Sequence, residues 1–218
     1  MQERYTNILE RWFIMEPPLF QVLCIHELVQ NTRMSCPLRS GRRKLEYHPE
    51  IVREMSDEAL EEALRAEAVR LLLKHPYERR PDGCSQKSMG LASNLVVGDN
   101  YRHPRLRMET PQDMGLRRGM SYEWYARMVE KQNSSGGGSN KDNESESGDS
   151  PMGDKHRDLA ELWDEDELTV QMINEVINTT KSWGSLGGRF AEILQASVKA
   201  KINWRNIFAG FRASIISS

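Results

Sequence analysis

The chain has 218 residues, 38% of them hydrophobic and 28% charged, with a formal net charge of −2. That composition is globular, and no apolar run reaches the length needed to span a bilayer. The charged, amphipathic start MQERYTNILERWF has no signal-peptide core, so the expected location is cytoplasmic and no membrane partner is expected.

Charge is spread rather than concentrated. Residues 1–132 carry 21 Lys and Arg against 19 Asp and Glu, and residues 133–218 carry 9 against 13. A nucleic-acid binder shows a basic surplus on one domain. The local runs RSGRRK, HPYERR and RHPRLR are therefore read as solvated segments, and no nucleic-acid partner is expected. Cys24, Cys36 and Cys84 form no C-x-x-C pair. They are read as ordinary thiols, at least partly buried, rather than as a disulfide framework or a zinc site.

In chain order, ERYTNILERWFIM is helical by spacing, with Tyr5, Ile8, Leu9, Trp12 and Phe13 on one face. Pro17-Pro18 breaks it, and LFQVLCIHELVQ reads as a second, more apolar helix. Within it His26 is followed by Glu27, but Gln30 stands at the i+4 position, so His26 is read as packed rather than ligating. MSCPLRSGRRKLEYHPE reads as a hairpin turning around Ser40-Gly41, with KLEYH as its second strand. Ser56 caps a helix with Asp57 and Glu58 in its first turn, running to about His75, where Pro76 follows. SMGLASNLVVGDNY is a further helix, and SYEWYARMVEK another, capped by Ser121.

From Glu130 to Ser150 there is no hydrophobic side chain, and NSSGGGSNKDNESESGDS has the composition of a linker or long loop. The organisation read from this is a core over 1–132, a linker over 133–155 and C-terminal helices over 156–218. In that last part RDLAELWDEDELTVQMINEVINTTKSW reads as one long helix, stopped by GSLGG. RFAEILQASVKAK and NWRNIFAGFRASI, the latter capped by Asn203, follow. The expected fold class is α+β, mostly helical, with a small antiparallel hairpin sheet.

The chemistry concentrates in residues 56–80. At 100° per residue, Leu60, Leu64, Glu67 and Leu71 fall within about 60° of one another. Glu67 thus points into the apolar face, where a carboxylate must be paired, hydrogen-bonded or protonated. Ala66 and Arg70 flank it one turn apart, in the outline of H-E-x-x-H. In that motif two histidines hold zinc and the glutamate between them polarises a water. Alanine has no ligating atom, and arginine stays protonated. The plain alternative is a helix with a buried Glu67–Arg70 pair at i, i+3.

Several stretches together resemble the metallopeptidase-like domain found at the N-terminus of bacterial proteins that end in a von Willebrand factor A-like domain. RRKLEYHPEIV resembles its short strand and following Asn-Pro-type turn, with His48-Pro49 here. MSDEALEEALRAEAVRLLLKH resembles its helix L-S-x-x-E-L-x-x-x-L-x-H-E-x-x-H-x-x-x-x-H. GLASNLVVGDN, RGMSYEWYARMV and GSLGGRFAEILQASVKAKINWRNIFAGF resemble its A-A-D-x-x-I-N helix, its G-x-S-A-E-E-I-Y helix, and its G-x-x-P-G turn with a D-W-R helix. The likeness covers about residues 5–130 and 158–214.

Carried over position by position, Ala66 and Arg70 replace two histidines. Glu67 and His75 match the family glutamate and a third histidine, and Asn94 stands where the family has aspartate. The resemblance implies zincin-like helices and a catalytically degenerate site with a vestigial Glu67 and no expected cofactor. It also implies a role in protein–protein interaction, with a von Willebrand factor A-like domain and an AAA-type ATPase as implied partners. The competing expectation is an active zinc hydrolase with a rearranged site, drawing ligands from Glu67, His75, Asp99, His103 or a cysteine. His75 has a third reading, as a cation at the helix C-terminus.

Overall fold

The structure is a computed structural model that describes residues 1–101, 103–135 and 151–199, with the backbone alone at Ser135 and at 151–154. It is α+β and mostly helical, with a three-stranded mixed sheet. The helices are α1 (Gln2–Met15), α2 (Pro17–Cys24), α3 (Pro49–Glu54), α4 (Asp57–Leu72), α5 (Gln86–Asn100), α6 (Tyr122–Ser135), α7 (Pro151–Leu159) and α8 (Glu167–Thr179). A further helix over residues 189–199 is here called α9. The strands are β1 (Glu27–Gln30), β2 (Leu38–Gly41) and β3 (Lys44–Tyr47), in the order β1-β3-β2.

The expected hairpin is β2–β3, paired antiparallel with Arg39 opposite Glu46. Its turn lies two residues later than expected. Arg42 and Arg43 form the two-residue loop, both with positive φ (47° and 58°), the hand that matches strand twist. The second apolar helix is shorter than its periodicity suggests. It stops at Cys24, and ELVQ pairs with β3 as the parallel strand β1, Glu27 opposite Lys44. His26 sits at that transition and is packed, as expected. Its Nδ1–H donates to the Val22 carbonyl (2.8 Å), and Nε2 accepts from Tyr77 Oη (2.7 Å). Tyr77 Oη in turn accepts from the Arg43 N–H at 3.0 Å, so one buried relay links α2, the hairpin turn and the segment after α4.

His48-Pro49 opens the short helix α3, with His48 Nδ1 as the cap acceptor and Pro49 at the first position, where its missing N–H costs nothing. Ser56 caps α4 by accepting from the Ala59 N–H, as expected. That helix ends at Leu72, three residues short of the expected end. Lys74 adopts a left-handed φ of 59°, and the His75 and Lys74 N–H groups return to the Arg70 and Leu71 carbonyls. This is a Schellman closure made without glycine. Ser85 and Ser121 cap α5 and α6.

The long helix expected after the linker is two. Residues 160–166 run as a turn whose backbone N–H groups at Asp164 and Asp166 donate to the Pro76 and Tyr77 carbonyls. Asp166 then caps α8. Of the expected linker, 133–135 lie in α6 and 151–155 in α7; residues 136–150, the helix expected after Asn203 and Asn203 itself lie outside the described residues. On α1, Tyr5, Ile8 and Trp12 are buried as expected, but Phe13 is 63% exposed, edge-on to Phe20. Cys24 is exposed, against expectation; Cys36 is buried and Cys84 half-buried.

Around α4 the core gathers Leu60, Leu64, Leu71 and Leu72 with Leu19 and Leu23 of α2 and Leu45 of β3. Among the described residues, no helix is long and apolar enough to cross a membrane. Arg39, read from sequence as part of a solvated run, is 3% exposed. It donates to Glu46 across the hairpin, to the Asp158 carbonyl and to Glu161, fixing the end of α7 against the sheet. Gly90 lets α5 and α7 approach closely, since a Cβ there would lie 2.0 Å from the His156 carbonyl oxygen. Gly90→Ala is expected to lower stability by about 2 to 3 kcal/mol through forced displacement of α7. Thermal unfolding checks this, and a parental midpoint would contradict the packing.

Candidate functional site

Glu67 and Arg70 lie on the buried side of α4, at 4% and 1% exposure. Arg70 donates to Glu67 Oε1 through Nη1, the i, i+3 pair anticipated as the plain alternative. The other Glu67 oxygen accepts from Ser40 Oγ at 2.7 Å, and Ser40 belongs to β2. Arg70 Nε donates to Ser93 Oγ (2.9 Å) and Nη2 to Asn94 Oδ1 (2.6 Å), both on α5. Each nitrogen of the guanidinium therefore has an acceptor, and both carboxylate oxygens have donors. That is the condition under which a buried ion pair is tolerated.

The network continues outward. Asn94 Nδ2 donates to Glu109 Oε2 at 3.0 Å, and His156 of α7 lies 3.1 Å from Glu109 Oε1. Burial works against ionisation of Glu109, but the His156 and Asn94 hydrogen bonds hold its carboxyl below the usual range. Ala66, Glu67, Arg70 and Asn94 border one cavity of about 370 Å³, together with Glu109 and His156. Four of the five sequence-selected positions are thus brought together.

His75, the fifth, does not border that cavity. It is stacked on the Tyr122 ring, with centroids 4.3 Å apart, and its Nδ1 lies 2.7 Å from Ser93 Oγ. The same Ser93 Oγ accepts from Arg70 Nε, so one hydroxyl joins the guanidinium to the imidazole. Burial above all, then Arg79 and Arg70, hold the imidazole well below its usual pKa. The expectation of a cationic His75 at the helix terminus is therefore corrected: the ring is buried and neutral.

Of the other candidate ligands, Cys36 borders the same cavity, whereas Asp99 and His103 do not. Asp99 accepts from Arg118 Nε (2.5 Å) and the Gly119 N–H (2.8 Å). His103 is buried beside Tyr101, with its rings' centroids 5.1 Å apart. Among the described residues, no group of three or more His, Cys, Asp and Glu side chains is arranged to hold a metal ion.

Sequence reasoning missed Ser40, Ser93, Glu109 and His156. Ser93 and Asn94 carried a usable signal, because a buried arginine on α4 needs acceptors from the helix packed on it. Ser40, Glu109 and His156 carried none, being brought in only by the tertiary fold. Compared with known proteins, the chain matches no family model, no curated protein and no solved structure.

Removing Arg70 alone leaves Glu67 buried beside unmatched acceptors. Arg70→Ala is expected to cost about 3 kcal/mol. Arg11→Ala, which breaks the exposed pair with Glu61, should cost under about 1 kcal/mol. The double change Glu67→Leu with Arg70→Met should cost less than Arg70→Ala, because neither charge is then stranded. Urea denaturation measures all three, and equal losses for Arg70→Ala and Arg11→Ala would contradict the burial of this pair.

The histidines set a pH dependence. Burial, with Arg43 adding, pushes His26 down to about 4. Burial, with Arg70 and Arg65, does the same to His103. An unfolded histidine titrates near 6.5, so between the two values the unfolded chain binds more protons than the folded one. Stability is therefore full above about pH 7 and falls as pH drops from 6.5 through 4, by up to about 1.4 kcal/mol per pH unit for each histidine. Unfolding midpoints in urea between pH 7 and pH 4.5 should fall accordingly, and less steeply in His26→Gln.

Proposed function

We propose that this chain is a catalytically degenerate metallopeptidase-like domain acting in protein–protein interaction. The observation that supports it is the position of Arg70. Its guanidinium stands at the second histidine position of the H-E-x-x-H outline and closes onto Glu67, Ser93 and Asn94. A general base must be free to take a proton from water, whereas both Glu67 oxygens already accept hydrogen bonds from Ser40 and Arg70. At the first histidine position, the methyl group of Ala66 borders the cavity instead. On this reading Arg70 does permanently, as a covalently attached cation, what a bound dication would do for the glutamate's charge. The partners are those the resemblance implies: a von Willebrand factor A-like domain and an AAA-type ATPase, met in the cytoplasm.

The test is metal content by elemental analysis on tag-free protein purified without chelator. The expected result is less than about 0.1 zinc per chain, and no hydrolysis of casein. Close to one zinc per chain, lost in Glu67→Ala or His75→Ala, would overturn the reading in favour of a rearranged zinc hydrolase. The geometry also makes a positive prediction. Ala66→His combined with Arg70→His places two imidazoles one turn apart beside Glu67, on a cavity that Glu109 and His156 also border. That double variant is expected to take up zinc where the parent does not, and failure to do so would count against a metal-site ancestry of α4.

A further inference from the structure

The cavity beside α4 is lined mainly by apolar surface and is also bordered by two exposed cations. Leu38, Ala63, Ala66, Leu106, Met108 and Leu159 supply its apolar wall. At about 370 Å³ it lies within the roughly 300–1,000 Å³ typical of small-ligand sites, which combine apolar walls with a few placed polar groups. The carboxylates on its wall are already paired, Glu67 with Arg70 and Ser40, and Glu109 with His156 and Asn94. The Cys36 thiol is buried and pushed up to about 12 by burial first and then by Glu67 and Asp158, so it stays neutral.

Two cations on the same cavity are held only loosely: Arg107 attracts the exposed Asp113 carboxylate without a hydrogen bond or ion pair to it. Arg107, from the segment after α5, and Lys155, from α7, are both exposed, and neither makes a hydrogen bond or ion pair among the described residues. They come from two different segments and border one cavity. An apolar tail has a wall to pack on, and an anionic head has two exposed cations beside it. A cationic ligand finds no unpaired carboxylate on this cavity.

We propose that this cavity binds an apolar carboxylate, with the hydrocarbon against Ala66 and Leu159 and the carboxylate between Arg107 and Lys155. The same chemistry is presented by a free medium-chain acid and by a peptide chain ending in an apolar residue. The proposal rests on the metal-free reading of α4, since a metal beside Glu67 would itself draw the carboxylate inward.

The experiment is calorimetric titration of the whole chain with octanoate, and with octanol and octylamine as the neutral and cationic counterparts. Zinc content is measured on the same sample. Octanoate is expected to bind at one per chain with Kd on the order of 100 µM. Octanol should bind about tenfold more weakly, and octylamine not measurably. Ala66→Leu fills the interior and should abolish binding. The surface change Arg107→Glu with Lys155→Glu, which leaves the core untouched, should weaken octanoate at least about tenfold while sparing octanol. To separate the two sources, a peptide ending in Leu-Phe is compared as free acid and as amide. Tighter binding of the free-acid peptide than of octanoate assigns a chain terminus, and the reverse order assigns a free acid.

Absence of saturable binding would overturn the proposal. So would octylamine binding as tightly as octanoate, or parental binding in the charge-reversed variant. Zinc near one per chain, with octanoate still bound after chelation, would overturn the metal-free reading and leave the carboxylate site standing.

Discussion

The Glu67–Arg70 pair is the constraint around which the rest of this fold is arranged. Neither charge can stay on the buried face of α4 without full compensation, because desolvation costs several kcal/mol per ion. Compensation cannot come from α4 alone. It draws a hydroxyl from β2 at Ser40, and a hydroxyl and an amide from α5 at Ser93 and Asn94. Three elements are therefore pinned to within hydrogen-bond tolerance at one point, far tighter than apolar packing would require. The hairpin can shift its register only by stranding Glu67, and α5 can rotate only by stranding Arg70.

Asn94 is where this constraint changes sign. Its amide oxygen accepts from Arg70 and its amide nitrogen donates to Glu109, so one side chain joins a cationic group to an anionic one. Only an amide does both. An aspartate in the same place would satisfy Arg70 but set its second oxygen against the Glu109 carboxylate at about the same 3.0 Å separation. Asparagine at the position where the resembled family carries aspartate thus goes together with arginine at the histidine position. Asn94 and Arg70 together form one electrostatic arrangement. Through Glu109 and His156 it reaches the last turn of α7, which Arg39 also holds at the Asp158 carbonyl.

How much of this could be read from the sequence depended on how local each signal was. The start of α4, its Ser56 cap and the inward face of Glu67 follow from spacing, and so do α5, α6 and the hairpin strands. The pairing of Glu67 with Arg70 was legible as a plain i, i+3 contact, because one helix contains both partners. Other features depend on chain segments far apart. β1 looks like the tail of an apolar helix, since ELVQ has no alternation and becomes a strand only by pairing with β3. The break at 160–166 is fixed by backbone bonds to Pro76 and Tyr77, about ninety residues earlier, and WDEDEL carries no Gly or Pro to mark it. His75 looked like a terminal cation because Pro76 follows it. Lys74 turns left-handed one residue earlier and sends the imidazole inward against Tyr122.

A fixed guanidinium and an exchangeable metal ion are not equivalent in what they leave open. A catalytic metal keeps at least one coordination position for water or substrate. Arg70 keeps none of its three nitrogens free of an acceptor, so it stabilises its neighbours and polarises nothing that enters from solvent. The apolar wall beside it is unaffected by that exchange, because Ala66, Leu38 and Leu159 depend on the packing of α4, β2 and α7, not on the charge at their centre. Under the proposed reading, losing the chemistry therefore need not close the cleft. On that reading an alanine at the first histidine position enlarges the apolar part of it, while the interior charges are paired with one another. The residues that, on this reading, disable a hydrolytic site also suit the cleft to the proposed amphiphilic anion.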